Sequence, residues 1–226
     1  MLLVHGFGSS FENDWRRNGW VDVLADLGRT VVGRDLLGHA GSAPAGSEGL
    51  EEHAFSSAAG LAPVDAIGFS MGGLILLRLA ADDPSRFRRL VIMGVGDPVV
   101  GLAEPDPARP LPDVLGALDG TATADDPASQ VFRRLLAAPR ADQGALAAVL
   151  RRPQRPLAPD LGRITNPTLL VIGADDFAGP ATRLAERLPG ASLVVLPRTD
   201  HFATPSSMKA MNAALAFLTE NQKAAG

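Results

Sequence analysis

The chain of 226 residues has no cysteine. Disulfides, thiolate metal sites and a cysteine nucleophile are therefore excluded, and the absence fits a reducing compartment. A basic excess is also missing. Lys and Arg number 21 against 25 Asp and Glu, for a formal net charge of −4 and a pI near 5.5. That balance offers no electrostatic attraction to nucleic acid or to an anionic membrane surface. No apolar run approaches the ~18 residues that a membrane helix needs. Met1-Leu2-Leu3-Val4 is apolar, but it lacks a basic flank and meets His5-Gly6 at once, so it does not read as a secretion signal. The expected location is cytoplasmic. Histidine is scarce: the four present are separated and, without cysteine, form no recognisable ligand cluster. Neither a metal nor an organic cofactor is expected, and nothing in the sequence fixes an oligomeric state.

What is present describes an ordinary globular chain, with 46% hydrophobic and 20% charged residues. A chain of this length can bury one substantial core. Apolar runs at 2–4, 30–34, 64–68, 90–94, 168–173 and 193–196 read as strands. Helical spacing recurs at 15–27, 72–81, 181–188 and 206–221. The last begins after Thr204-Pro205, a cap and first-turn pair. Alternation of this kind predicts the α/β class: a mostly parallel central sheet of about six strands with helices on both faces.

Residues 98–162 break the pattern. Ten of the eighteen prolines fall here, and no strand does. Asp126-Pro127 reads as a cap opening a helix with Val131, Phe132, Leu135 and Leu136 on one side. A second short helix fits 142–151, with Leu146, Val149 and Leu150 apolar. The expected organisation is a core of 1–97 and 163–226 carrying a small helical lid at 98–162, since long excursions from compact domains are usually functional. The insertion's arginines (Arg133, Arg134, Arg140, Arg151, Arg152, Arg155) read as a solvated face.

Gly68-Phe69-Ser70-Met71-Gly72 stands between an apolar strand and an apolar helix. A G-x-S-x-G at such a junction is the context of a nucleophile elbow, where a tight turn holds the serine exposed. A serine hydroxyl needs a base, and the base needs an orienting acid. His201 follows the strand 193–196, at the carboxyl edge where open α/β sheets gather their ligands. Three carboxylates end strands at that edge and compete for the acid's role: Asp175, Asp176 and Asp97. Asp200 adjoins His201, but neighbours in an extended loop point apart. Acyl transfer also requires donors for the developing oxyanion. The amide of Met71, directly after the serine, is one. The other should come from the loop His5-Gly6-Phe7-Gly8-Ser9-Ser10, where the glycines at 6 and 8 let the backbone turn its amides inward. His5 itself reads as structural.

Leu3-Val4-His5-Gly6-Phe7-Gly8, Asp35-Leu36-Leu37-Gly38-His39, Gly68-Phe69-Ser70-Met71-Gly72-Gly73, Gly173-Ala174-Asp175-Asp176 and Asp200-His201-Phe202 follow one another in an order that resembles the α/β-hydrolase superfamily. The resemblance covers residues 1–97 and 163–220. It implies Ser70 as nucleophile, His201 as base, and the amides of Phe7 and Met71 as the oxyanion hole. It favours Asp176 as acid, at the last position of a G-x-x-D with Pro180 following. His39 matches a structural position, and Ala40 stands where glycine is common. Members of the superfamily usually carry an edge strand pair before the H-G loop. This chain starts at the oxyanion strand, so a shortened sheet is expected, or a native beginning lying further upstream.

The resemblance implies a serine hydrolase cleaving carboxylic esters, with a small-molecule ester-like substrate as its partner; the short lid and nine phenylalanines suggest a modest apolar acyl pocket. Lactone hydrolysis, carbon–carbon bond hydrolysis and cofactor-free perhydrolysis use the same machinery in that superfamily. A hydrolase-like receptor or signalling protein is the alternative from a different class.

Overall fold

Strand residues sort by parity. Leu2, Val4, Ala66, Leu90, Ile92, Leu170 and Ile172 enter one buried cluster, while Leu3, Ile67, Phe69, Val91, Met93, Leu169 and Val171 enter a second. Successive side chains on a strand point to opposite faces, so near-continuous apolar runs of this kind belong to a sheet covered on both sides. The computed structural model describes residues 1–43, 49–61, 63–121, 130, 132, 142–153 and 155–219. Its strands are β1 (Leu2–Val4), β2 (Val64–Phe69), β3 (Phe87–Met93), β4 (Thr168–Gly173) and β5 (Ala191–Leu196), all parallel and in the order β1-β2-β3-β4-β5.

The helices are α1 (Trp20–Asp26), α2 (Leu50–Ser56), α3 (Met71–Asp82), α4 (Val114–Asp119), α5 (Gln143–Arg151), α6 (Thr182–Arg187) and α7 (Met208–Thr219). The first core holds residues of α2, α3 and α6. The second takes Trp20 and Leu24 from α1 and Ala210, Met211, Ala214 and Leu218 from α7. Among the described residues, no helix is long and apolar enough to cross a membrane.

Four details depart from the sequence reading. The strand expected at 30–34 is reduced to one bridge, Leu2 with Val32. β1 offers three residues for pairing, and a Cβ on Gly33 would meet the Phe11 ring and stand 2.6 Å from the Leu3 carbonyl oxygen. Among the described residues the sheet therefore has five strands where about six were expected. The helix expected at 15–27 is broken by Gly19 in the left-handed region (φ 79°) into a π-helical turn, Glu12–Arg16, and α1. Thr204-Pro205 does not cap α7. Thr204 Oγ1 donates instead to the Asp200 carbonyl (2.9 Å), and Ser207 Oγ accepts from the Ala210 N–H at 3.4 Å. Helices α2 and α4 were not anticipated. The helix expected after Asp126-Pro127 lies outside the described residues except for Gln130 and Phe132. The one expected at 142–151 is α5, capped by Asp142, which accepts from Ala145 N–H at 3.0 Å.

The amino end of the sheet is held by charge. Asp65, buried in β2, takes Arg29 at 2.6 Å and Arg88 at 3.1 Å. Arg29 and Arg89 also donate to the Leu218 carbonyl near the end of α7, where a helix presents unpaired acceptors. Without its arginines, a carboxylate buried at Asp65 would cost several kcal/mol.

Candidate active site

Ser70 adopts φ 52° and ψ −117°, a conformation that non-glycine residues rarely take, at the junction of β2 and α3. Such strain costs on the order of 1–3 kcal/mol and persists only where the surroundings enforce it. Here the Ser70 N–H donates to the Met93 carbonyl at 2.8 Å. The two elbow glycines answer to different neighbours. A Cβ on Gly68 would lie 2.6 Å from the Gly72 carbonyl oxygen, which is crowding across the elbow itself. A Cβ on Gly72 would overlap the carbonyl oxygen of Val4, at the end of β1. Gly72 is small so that α3 can start against β1.

The three side chains singled out in the sequence form one line. His201 Nε2 lies 2.9 Å from Ser70 Oγ, and His201 Nδ1 lies 2.9 Å from Asp176 Oδ1. Since the carboxylate only accepts, Nδ1 carries the proton and donates to Asp176, leaving the Nε2 lone pair to accept from the serine hydroxyl. Asp176 is fully buried after β4, and its Oδ1 also accepts from the Ala178 N–H at 2.8 Å. Its Oδ2 has no partner among the described residues. The Phe177 and Phe69 rings lie 4.3 and 4.9 Å from the imidazole, tilted by 33° and 40°, and restrict its rotation.

The competing acids are occupied elsewhere. Asp97 is buried but turned to α6, where its oxygens accept from the Leu184 N–H (2.8 Å) and the Arg183 N–H (3.1 Å). Asp175 is exposed. Asp200 accepts from the Ala203 N–H at 2.8 Å within its own turn.

The loop after β1 abuts the elbow. A Cβ on Gly6 would stand 2.9 Å from the Phe69 ring and 3.5 Å from Ser70 Cβ, so this glycine lets the backbone reach the serine. Among the described residues, the amides of Phe7 and Met71 have no hydrogen-bond partner. His5 is structural: Nδ1–H donates to the Gly6 carbonyl (2.7 Å) and Nε2 accepts from the Leu36 N–H (2.9 Å). Burial, aided by neighbouring His39, pushes its pKa down to about 3, so the ring stays neutral. His39 bonds the Leu37 carbonyl through Nδ1 (3.0 Å), and burial lowers its pKa too. Ala40 takes φ 51°, which explains why glycine is the usual occupant there.

Sequence reasoning passed over two residues of this region. Gly94 ends β3 at φ 65°, and a Cβ there would meet the Phe69 ring at 2.8 Å and His201 Cε1 at 3.1 Å. Asp14 sits on the π-helical turn, where neither a motif nor a spacing rule marks it. It lines a cleft of about 260 Å³ together with Ser70 and His201. Phe7, Phe132 and Phe202 make one side of that cleft apolar, while Asn13 and Asn18 stand with Asp14 as polar lining.

Burial pushes the Asp14 carboxyl from the 3.8 of a free aspartate up to about 6, against the pull of its hydrogen bonds to Gly6 and Ser9 and of His201. Between those values the folded protein holds a proton that the unfolded chain has lost. Its contribution is complete below pH 3.8 and disappears as pH rises through 6. Asp14→Asn abolishes that loss. The variant should exceed the wild type in stability by up to about 3 kcal/mol at pH 7.5, with the gap closing towards pH 4. His5 titrates in both proteins and cancels in the difference. Calorimetry at the two pH values checks this, and a gap that does not change with pH contradicts it.

Comparison with known proteins agrees with this architecture. A sequence model described as the alpha/beta hydrolase family matches residues 1–214. A pimeloyl-[acyl-carrier protein] methyl ester esterase of Neisseria meningitidis serogroup A is 31% identical over 228 residues, covering 89% of this chain and 70% of that protein. Among solved structures, a hydrolase from Pseudomonas aeruginosa PA01 superposes with a TM-score of 0.63 at 26% identity, over 96% of this chain and 88% of its own. The 2-hydroxy-6-oxo-6-phenylhexa-2,4-dienoate hydrolase of Rhodococcus sp. strain RHA1 gives 0.68 at 23% identity, over 95% and 88%. A parallel sheet with an elbow serine at its carboxyl edge defines a hydrolase fold. With nearly its whole length matched, the chain belongs to the alpha/beta hydrolase family.

Proposed function

We propose that the chain is a serine esterase acting on carboxylic esters with small, apolar acyl groups. The unbroken hydrogen-bond line Ser70–His201–Asp176 is the observation that carries this reading. Ser70 Oγ attacks the ester carbonyl while His201 Nε2 takes its proton. Asp176 holds the imidazole in the required tautomer and stabilises the imidazolium. The amides of Phe7 and Met71 receive the oxyanion, each worth roughly 2.7–4 kcal/mol when aligned. The imidazolium then protonates the departing alcohol. A water molecule, deprotonated by the same nitrogen, attacks the acyl-enzyme and frees the acid and Ser70.

The methyl ester esterase from Neisseria supports ester cleavage over the other reactions of this machinery. The phenylalanine side of the cleft supports an apolar acyl group. We assign residues 98–162 as a lid. Phe132 packs 5.3 Å from Phe202, 6.3 Å from Phe7 and 6.5 Å from Phe177, over loops that carry the base, an oxyanion amide and the acid.

A panel of p-nitrophenyl esters graded in acyl length, run beside lactones, a carbon–carbon cleavage substrate and a fluorophosphonate probe, tests the reading. Turnover should be greatest with short acyl chains, and the probe should modify Ser70 alone. Faster turnover of the lactone or the carbon–carbon substrate would replace the esterase reading. No modification of Ser70, with tight ligand binding by calorimetry, would make the chain a receptor.

A further inference from the structure

The loop that supplies the Phe7 amide is a four-residue turn. Ser9 N–H donates to the Gly6 carbonyl at 3.3 Å, and Gly8 occupies the left-handed region at φ 70°. A lone 3.3 Å bond is a weak closure for a turn that has to hold an amide in a fixed direction. Asp14 adds two stronger ones. Its Oδ2 accepts from the Gly6 N–H at 2.9 Å, and its Oδ1 accepts from the Ser9 hydroxyl at 2.5 Å. One carboxylate thus grips the first and last residues of the turn, with Phe7 between them.

The placement is unfavourable for a carboxylate that served packing alone. Asp14 is 8% exposed and makes no salt bridge among the described residues, and the charged group facing it across the cleft is His201 when protonated.

We propose that Asp14 is a positioning residue for the oxyanion hole: by clamping Gly6 and Ser9 it fixes the Phe7 N–H in the direction from which the tetrahedral oxygen is stabilised. The proposal rests on the esterase reading. Asp14 touches no reacting atom and acts through Phe7. Its loss should therefore be felt in the transition state more than in substrate binding.

The test compares wild type, Asp14→Ala and Asp14→Asn. Active sites are counted by stoichiometric fluorophosphonate labelling, and kcat and KM for p-nitrophenyl butyrate are expressed per labelled site. Asp14→Ala should lower kcat about tenfold to a hundredfold with KM within about twofold. Asp14→Asn should recover most of that loss, because its amide oxygen still accepts from Gly6 N–H while its NH2 donates to Ser9 Oγ. An unchanged kcat per site in Asp14→Ala would reduce Asp14 to a packing residue and overturn the proposal. Equal losses in the two variants would overturn it too, assigning the effect to the charge.

If Asp14→Ala does not fold, Ser9→Ala removes one arm of the clamp. A several-fold fall in kcat supports the proposal, and no fall overturns it. Absence of Ser70-dependent turnover in the wild type would remove the esterase reading and the clamp with it. Normal wild-type turnover alongside an indifferent Asp14→Ala removes the clamp alone.

Discussion

Ser70→Ala and His201→Ala are each expected to lower kcat for p-nitrophenyl esters by about four orders of magnitude or more, with the fold intact. Among the described residues Ser70 Oγ is the hydroxyl bonded to His201 Nε2, while Ser9, which lines the same cleft, gives its hydroxyl to Asp14. His201 likewise has no substitute among them. His5 is buried, neutral and spent on the Gly6 carbonyl and the Leu36 amide, and His39 bonds the Leu37 carbonyl. The double variant should be scarcely slower than either single one, since serine and base act as one unit. The residual rate comes from amides that remain in place. Steady-state turnover with circular dichroism measures both parts. Either variant retaining a tenth of the wild-type kcat would sink the proposed assignment.

Gly72→Ala is expected to be among the most damaging single methyl additions near the site. The new Cβ would overlap the Val4 carbonyl and stand 2.7 Å from that of His5, and both are backbone atoms that no rotamer change can move. Either α3 shifts from the sheet or the end of β1 does, and the Phe7 and Met71 amides separate in both cases. Overpacking of this kind costs typically 1–3 kcal/mol, and rigid backbone on the receiving side puts the variant at or above the upper end. A fall in Tm of many degrees and a loss of at least a hundredfold in kcat should appear together. A variant that kept its Tm and lost only activity would show that the methyl is absorbed by the loop, not by the contact between α3 and β1.

Where chemistry reduces to order along the chain, the sequence was legible. The elbow serine, His201 as proposed base and Asp176 as proposed acid all follow strands, and strands of a parallel sheet deliver their following loops to one edge. Choosing Asp176 over Asp97 was harder. Both end buried strands, and only packing shows that Asp97 caps α6. Asp14 was illegible because its contact with Gly6 depends on a π-helical turn folding back on a loop eight residues earlier. The break at Gly19 was missed because Trp15, Trp20 and Leu24 share one buried cluster, which mimics a continuous helical face. The strand expected at 30–34 carried the right β-branched residues, but it meets β1 at a single bridge, Leu2 with Val32.

Asp65 and Ser70 mark the two ends of one short strand. At a rise of 3.2–3.4 Å per residue they stand about 16 Å apart, beyond the reach at which substitutions usually interfere with one another. The arginines that grip Asp65 and the last turn of α7 therefore form a foundation that can be rebuilt without retuning the serine. Endurance and reactivity are inherited through the same six residues of backbone, yet they can be selected separately.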